Sequence, residues 1–489
     1  MVAILVSSLL PCLNASAQMP IKYNMVNQVM PDSADLEYYG KKHFWRASAE
    51  VVGFNLGLWA FDRFALHGDY SYISWNSIKR NFRKGFVWDN DMLATNTFMH
   101  PYNGSLYYGA GRANGFNYWQ STLFSLGGSA MWEFFMENEY PSINDIIATP
   151  VGGAVIGETL FRASDAVLDD RSTGAERFGR EAAAFILSPL RGINRIITGQ
   201  AWKHRATSGH MFGIPNIAMQ ASLGLDIMTF QGRMQSPYVG ANLQFDLEYG
   251  DRFEAKSTKP YDYFTLRLGL QGMKYQPVLS QVEIKGRLIS REVLDHKNSS
   301  GSIGLYQHFD YYDSDTISNL EKVPYKLGVP ASVGAGFMFR DVERHRYVFD
   351  AYAHVNAVIL GAILSDHYQS DERNYNFGSG FSIKAGANIT WNRRKANLSV
   401  SNEFYRLFTW KGYRQGTNLA TADPQTLNVM GDKSEASFNV TEVRFDYQLW
   451  KRLYGTLSFT NRYRTTHYRD FPDITSNTTS LRLLLTYKF

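Results

Sequence analysis

Four side chains in the first third of the chain, His100, Glu133, Asp145 and Glu158, are of types suited to proton transfer. A carboxyl buried among apolar neighbours resists ionisation. Beside a histidine it becomes a general acid–base candidate. Glu133 fits that description best, with Trp132 before it and Phe134-Phe135 after it. Its proton affinity rises unless a cation such as Arg112 pairs with it. The other residues have structural explanations at the same positions. Asp145 follows Ser142 by three and suits a capping box at a helix start. Glu158 and Arg162 have the spacing of a helix-face ion pair. Asn103-Gly104, close to His100, reads as a turn. The chain contains no G-x-S-x-G, H-E-x-x-H, P-loop or cysteine-based metal pattern. No cofactor or metal is therefore assigned.

Residues 18–210, which carry these groups, show no period-two alternation. Residues 50–66 are apolar and helix-compatible. Residues 117–136 have membrane-spanning length but contain Gln120, Ser121, Thr122, Ser125, Gly127-Gly128, Ser129 and Glu133. An ionised carboxylate at the centre of a spanning helix costs about 2.5–3.5 kcal/mol. This segment is therefore expected to pack inside a folded domain rather than face lipid. Pro141 ends it, Ser142 opens a second helix, and Pro150 is expected to kink or split that helix. Gly152, Gly153 and Gly157 form a small-residue face that permits a close crossing of the hairpin's two helices. A third helix is expected at 176–188, ended by Pro189.

From about residue 211 the pattern changes. In residues 238–249, Val239, Ala241, Leu243, Phe245, Leu247 and Tyr249 alternate with Gly240, Asn242, Gln244, Asp246 and Glu248. Alternation is the strand signature. One face suits hydrocarbon and the other water, so such strands must close into a barrel. Repeats of the pattern predict twelve antiparallel strands. The fourth carries Val282, Ile284 and Leu288 on its lipid face. Connections near 340–345, 391–395 and 450–452 are short, whereas those near 311–327, 362–375, 410–434 and 462–478 are long. Short periplasmic turns and long outer loops are the expected asymmetry. Trp391 and Trp450 fall at turns, where an aromatic girdle belongs. The last strand carries Leu481, Leu483, Leu485, Tyr487 and Phe489 on one face, the assembly signal of an outer-membrane barrel.

The same alternation names the lumen. Tyr306, His308 and Asp310 point inward on the fifth strand, and Asp350, Tyr352, His354 and Asn356 on the seventh. Arg267, Glu283, Lys285 and Arg287 line the wall between them. With Arg112 from the helices, Tyr306, His308, Asp310, Asp350 and His354 form a candidate lumen-binding set. The competing explanation is an ordinary salt-linked barrel interior. His308 and His354 are metal-ligand types, but their spacing demands no metal.

The chain begins with an apolar run at 2–11 and the small residues Ala15-Ser16-Ala17, which reads as a secretory leader cut after Ala17. The expected organisation is a signal peptide at 1–17, a helical domain at 18–210 and a transmembrane barrel at 211–489. The only cysteine, Cys12, falls in the leader, so the mature chain has no thiol chemistry. A net charge of +5 is too small to argue for nucleic acid. A mean hydropathy of −0.29 is compatible with a barrel, because half of each strand is polar.

The stretches HPYNGSLYY at 100–108, RANGFNYWQS at 112–121 and WEFFMENEYPSINDIIATPVGGAVIGE at 132–158 resemble a family of Bacteroidota outer-membrane proteins. It is catalogued as domain of unknown function 3943. The resemblance covers roughly residues 90–200 closely and the early barrel more loosely. It implies a protein of the Gram-negative outer membrane and no established activity.

The sequence thus predicts a twelve-stranded outer-membrane β-barrel preceded by a helical hairpin, at its periplasmic mouth or plugging its lumen. Two function classes stay open. One is a non-catalytic envelope, binding or outer-membrane assembly component. The other is a barrel enzyme acting on lipid A or phospholipid. Outer-membrane lipids and, during biogenesis, the barrel-assembly machinery are the expected partners, together with other outer-membrane proteins.

Overall fold

The structure is a computed structural model that describes residues 41–489, except 89–90, 214, 232–236, 255, 317–321, 344–345, 368–373, 392, 420 and 423–426. The leader expected at 1–17 and the lead-in up to residue 40 lie outside the described residues, as do parts of the long connections at 311–327, 362–375 and 410–434. The chain forms two compact units. One is helical. The other comprises residues 217–489 together with the short segment 90–98.

The second unit is a closed antiparallel barrel of twelve strands. They are β1 (Ile217–Phe230), β2 (Tyr238–Tyr249), β3 (Phe264–Gly272), β4 (Leu279–Asp295), β5 (Ser299–Asp313) and β6 (Lys326–Glu343), then β7 (Tyr347–Leu364), β8 (Tyr375–Trp391), β9 (Ala396–Thr409), β10 (Ser434–Trp450), β11 (Leu453–Tyr468) and β12 (Ile474–Lys488). Each strand pairs with its neighbour in sequence, and β12 returns to β1 with Tyr487 opposite Ala221. Closure leaves no unpaired edge, which is what hydrocarbon requires of a sheet. A two-residue strand at Lys256–Ser257 pairs along β4 outside this ring.

Alternation places the side chains as the sequence predicts, with one local exception. A bulge between Arg287 and Ile289 shifts the outer part of β4. Ile289 takes the exposed outward position there and Leu288 is buried. The inserted residue breaks the period of two on which the Leu288 assignment rested.

The segment 91–98 lies on the outer wall of the barrel. Phe98 packs against Phe309 and Tyr311, which alternate with the inward His308, Asp310 and Tyr312. A side chain on Gly328, opposite Tyr311, would clash with the Thr97 side chain. The Tyr375 hydroxyl donates to the Asp91 carbonyl at 2.6 Å and lies 2.6 Å from the Asn96 side-chain nitrogen.

The helical unit holds α1 (Phe44–Phe61), α2 (Trp75–Lys84), α3 (His100–Ala113), α4 (Tyr118–Met131), α5 (Ile143–Val167), α6 (Gly174–Leu187) and α7 (Pro189–Ile197). Three sequence expectations change here. Asn103-Gly104 lies inside α3 rather than in a turn. α5 runs unbroken through Pro150 over 25 residues. Pro189 ends nothing for long, because it occupies the first position of α7, where its missing N–H costs little.

The small residues of α5 do permit a close crossing, but the partner is α3 rather than the preceding hairpin helix. A Cβ on Gly153 would stand 2.6 Å from the Gly104 carbonyl carbon, and one on Gly157 would stand 2.7 Å from the Tyr108 ring. Only glycine fits where backbone meets backbone this closely.

Candidate functional site

In the helical unit, polar groups are packed between the helices. Ser142 caps α5 by accepting from the Asp145 N–H at 3.2 Å. In a capping box the third residue would reach back to the cap's own N–H. Here Glu133 does so instead, accepting from Ser142 N–H at 2.6 Å. The Asp145 carboxylate instead accepts from Asn144 at 2.9 Å and faces the His100 Nε2 at 3.7 Å. The structure therefore brings His100 and Asp145 together and gives Glu133 a backbone-capping task.

Glu158 is the hub of this core. It is fully buried and accepts from the Tyr108 hydroxyl at 2.7 Å, Arg112 Nε at 2.7 Å, Arg112 Nη2 at 3.0 Å and Arg162 Nε at 2.8 Å. Arg112 also donates to the Phe116 carbonyl at 2.8 Å. Arg112, expected with the lumen set or beside Glu133, instead closes on Glu158 within the helical unit. The Phe212 ring lies 4.0 Å from the Arg162 guanidinium carbon. A carboxylate serving four charge-assisted or hydroxyl donors is organised to hold helices together. Its two oxygens receive all four donors from within the helical unit.

In the barrel, Tyr306, His308, Asp310, Asp350 and His354 all face inward and are buried, as alternation predicts. Ion pairs cross the interior at several heights. Near the short-turn end, Arg267 on β3 meets Glu442 on β10 at 2.7 Å. At mid-height, Lys285 on β4 meets Glu403 on β9 at 2.7 Å. Lys384 on β8 pairs with Asp310 on β5 and lies 3.3 Å from Glu403. Near the long-loop end, Arg464 on β11 pairs with Asp366 at 2.6 Å and donates to the Pro324 carbonyl at 3.1 Å.

Two further blocks fill the spaces between these pairs. Toward the long loops, Tyr312, Tyr325, Leu327, Val329, Val358, Ile363, Tyr405, Leu407, Ala436, Phe438 and Val440 form one buried apolar cluster. The Tyr312 and Tyr405 hydroxyls turn down from it to Glu403, at 3.0 and 2.6 Å. Toward the short turns, the β2–β3 connection folds inward. Phe253 packs with Tyr263, Tyr306, Met338 and Tyr352, and Arg252 lies 3.3 Å from Asp350. That explains why this connection at the short-turn end is long while its counterparts are short.

Between the blocks, His308 Nε2 and His354 Nδ1 are 3.1 Å apart. His308 Nδ1, His354 Nε2 and Asp310 Oδ2 have no protein partner among the described residues. Buried polar atoms of this kind are served by enclosed water. Among the described residues, no group of three His, Cys, Asp or Glu is placed to hold a metal ion.

Lys384, Glu403, Tyr312 and Tyr405 were not singled out from the sequence. For Lys384 the signal was available, because it alternates with the outward Ile383 and Ala385. The inward fold of Arg252 and Phe253 left no periodic trace.

A family model, a domain of unknown function (DUF3943), matches residues 85–190. No curated protein matches the chain. Among solved structures, the NanC porin covers 55% of this chain and 100% of its own at 8% identity, with a TM-score of 0.25. The outer membrane channel DcaP of Acinetobacter baumannii covers 56% and 97% at 8% identity, with a TM-score of 0.23. The KdgM porin covers 55% and 99% at 8% identity, with a TM-score of 0.22.

Proposed function

We propose that the protein is a non-catalytic component of the outer membrane of a Gram-negative bacterium, whose closed barrel anchors the helical unit and conducts nothing. The observation that carries this reading is the lumen itself, spanned by ion pairs and filled above and below by the barrel's own side chains. Side chains in contact across a barrel leave no width for a hydrated solute. The helical core supports the same reading, because its best-placed acids are committed to capping and to ion pairing. On this reading the leader directs export, and the barrel-assembly machinery inserts the chain through its terminal strand. Membrane lipids and other outer-membrane proteins are then its lasting neighbours.

The competing role, an enzyme of lipid A or phospholipid, is tested by mass spectrometry of membrane lipids from a deletion strain. The lipid pattern is expected to match that of the parent. An altered pattern, restored by the wild type but not by His100→Ala, would overturn the proposal.

A further inference from the structure

Two helices of the helical unit turn large apolar side chains outward and polar ones inward. On α4, Ser121, Ser125 and Ser129 are buried, whereas Trp119, Leu123 and Leu126 are exposed. On α1, Asn55 is buried and Val52 and Leu56 are exposed. The two helices are neighbours, joined by the Asn55 side-chain amide donating to the Gly128 carbonyl at 3.1 Å. No charged residue occurs in α4, and the two in α1, Arg46 and Glu50, turn inward toward Asn114 and Asn194. A helix in water carries its charges on the outer face and its apolar residues within. These two bury Ala47, Val51 and Tyr118 as well, but they carry no charge on the outer face and present large apolar side chains there instead. Their polar side chains are satisfied inside by backbone carbonyls, Ser125 donating to Gly104 at 2.9 Å and Ser129 to Asp145 at 3.3 Å, which removes the objection to lipid that the serines raise in the sequence. At 18 residues, α1 is about 27 Å long, close to the thickness of a hydrocarbon core.

α2 differs from its neighbours. It exposes Lys79, Arg80, Arg83 and Lys84 with Trp75 and Phe82, and contains no acid. Cations mixed with aromatics on a short amphipathic helix suit the anionic headgroup layer. A separate observation concerns the barrel unit. The segment 91–98 that leads into α3 lies on the outer wall, against Phe309 and Tyr311, and not in the lumen.

We propose that α1 and α4 of the helical unit lie against the acyl chains of the membrane, with α2 among its phosphate headgroups. The helices then form a second lipid-contacting element in addition to the strands. This goes beyond the anchoring role and holds whether or not the lumen conducts.

The test uses the full chain in vesicles of phosphatidylethanolamine and phosphatidylglycerol, with single cysteines at Leu123, Val52, Leu483 and Glu176. Fluorophores at Leu123→Cys and Val52→Cys are expected to lose emission when the lipids carry acyl-chain nitroxides, as Leu483→Cys on the barrel wall does. Both should resist a water-soluble maleimide that labels Glu176→Cys. Labelling of Leu123→Cys by that reagent at the Glu176→Cys rate would overturn the proposal. So would protection from both nitroxide and maleimide, since another protein surface would then cover the face. Quenching at Leu483→Cys reports insertion of the barrel independently, so failure at Leu123→Cys and Val52→Cys alone counts against the helical contact only.

Discussion

Lys285 on β4 reaches Glu403 on β9 at 2.7 Å, a contact made across the barrel between strands that are not neighbours. Glu403 also receives Tyr312, Tyr405 and Lys384. Such a pair is not needed to close a sheet. It fixes what lies inside it. Removing one partner of a buried pair strands the other charge and costs about 3–5 kcal/mol. Lys285→Met is therefore expected to lower the urea midpoint of the folded barrel, read as loss of heat-modifiable mobility on gels. Adding Glu403→Gln should recover part of that loss. Additive losses in the double variant would mean that the two groups do not interact.

The Glu133 carboxylate on the Ser142 N–H makes a different prediction. Glu133→Gln keeps an acceptor oxygen and should change stability little. Glu133→Ala leaves a buried donor without a partner and should destabilise the protein by about 1–3 kcal/mol. Thermal unfolding of both variants separates these outcomes. Equal losses would show that the charge, and not the cap, is what matters.

Glycines in the helical unit divide by what stands beside them. A Cβ added at Gly153 would stand 2.6 Å from the Gly104 backbone, whereas one added at Gly127 would have nothing within 4 Å. Gly153→Leu is expected to destabilise by at least about 1–3 kcal/mol through overpacking. Gly127→Ala is expected to stabilise slightly, because alanine favours helix by up to about 1 kcal/mol over glycine. Limited proteolysis ranks the two directly, and equal resistance would contradict the crossing.

The barrel was legible because period-two alternation survives wherever one face meets lipid and the other meets polar side chains. It failed at the Arg287–Ile289 bulge, where one inserted residue resets the phase. It was silent where the lumen turns apolar. Leu327, Val358 and Leu407 point inward, so composition no longer separates the faces there. In the helices, His100 and Asp145 were named and do meet, but the division of labour between Glu133 and Asp145 at Ser142 was not readable. Local spacing suggested a box closed by Asp145. The acceptor comes from the preceding segment, nine residues back. Arg112 was likewise misplaced, because nothing in the sequence says that Glu158, 46 residues on, is its partner.

The seam between β1 and β12 gives another expectation. Tyr487 pairs with Ala221, its ring lies 5.0 Å from that of Phe489, and the Phe489 N–H donates to the Met219 carbonyl at 3.0 Å. Changing Tyr487 and Phe489 to Ser should leave degraded or unassembled chain in membrane fractions. Normal outer-membrane levels of that variant would remove the terminal face from the assembly argument.

The filled lumen is tested most directly by recording purified protein in a planar lipid bilayer. The wild type is expected to give no conductance steps across the applied range. Phe438→Ala combined with Tyr405→Ala, which removes the centre of the apolar block, should make conductance steps appear. Steady ohmic steps from the wild type would contradict the closed interior and return the protein to the class of open channels.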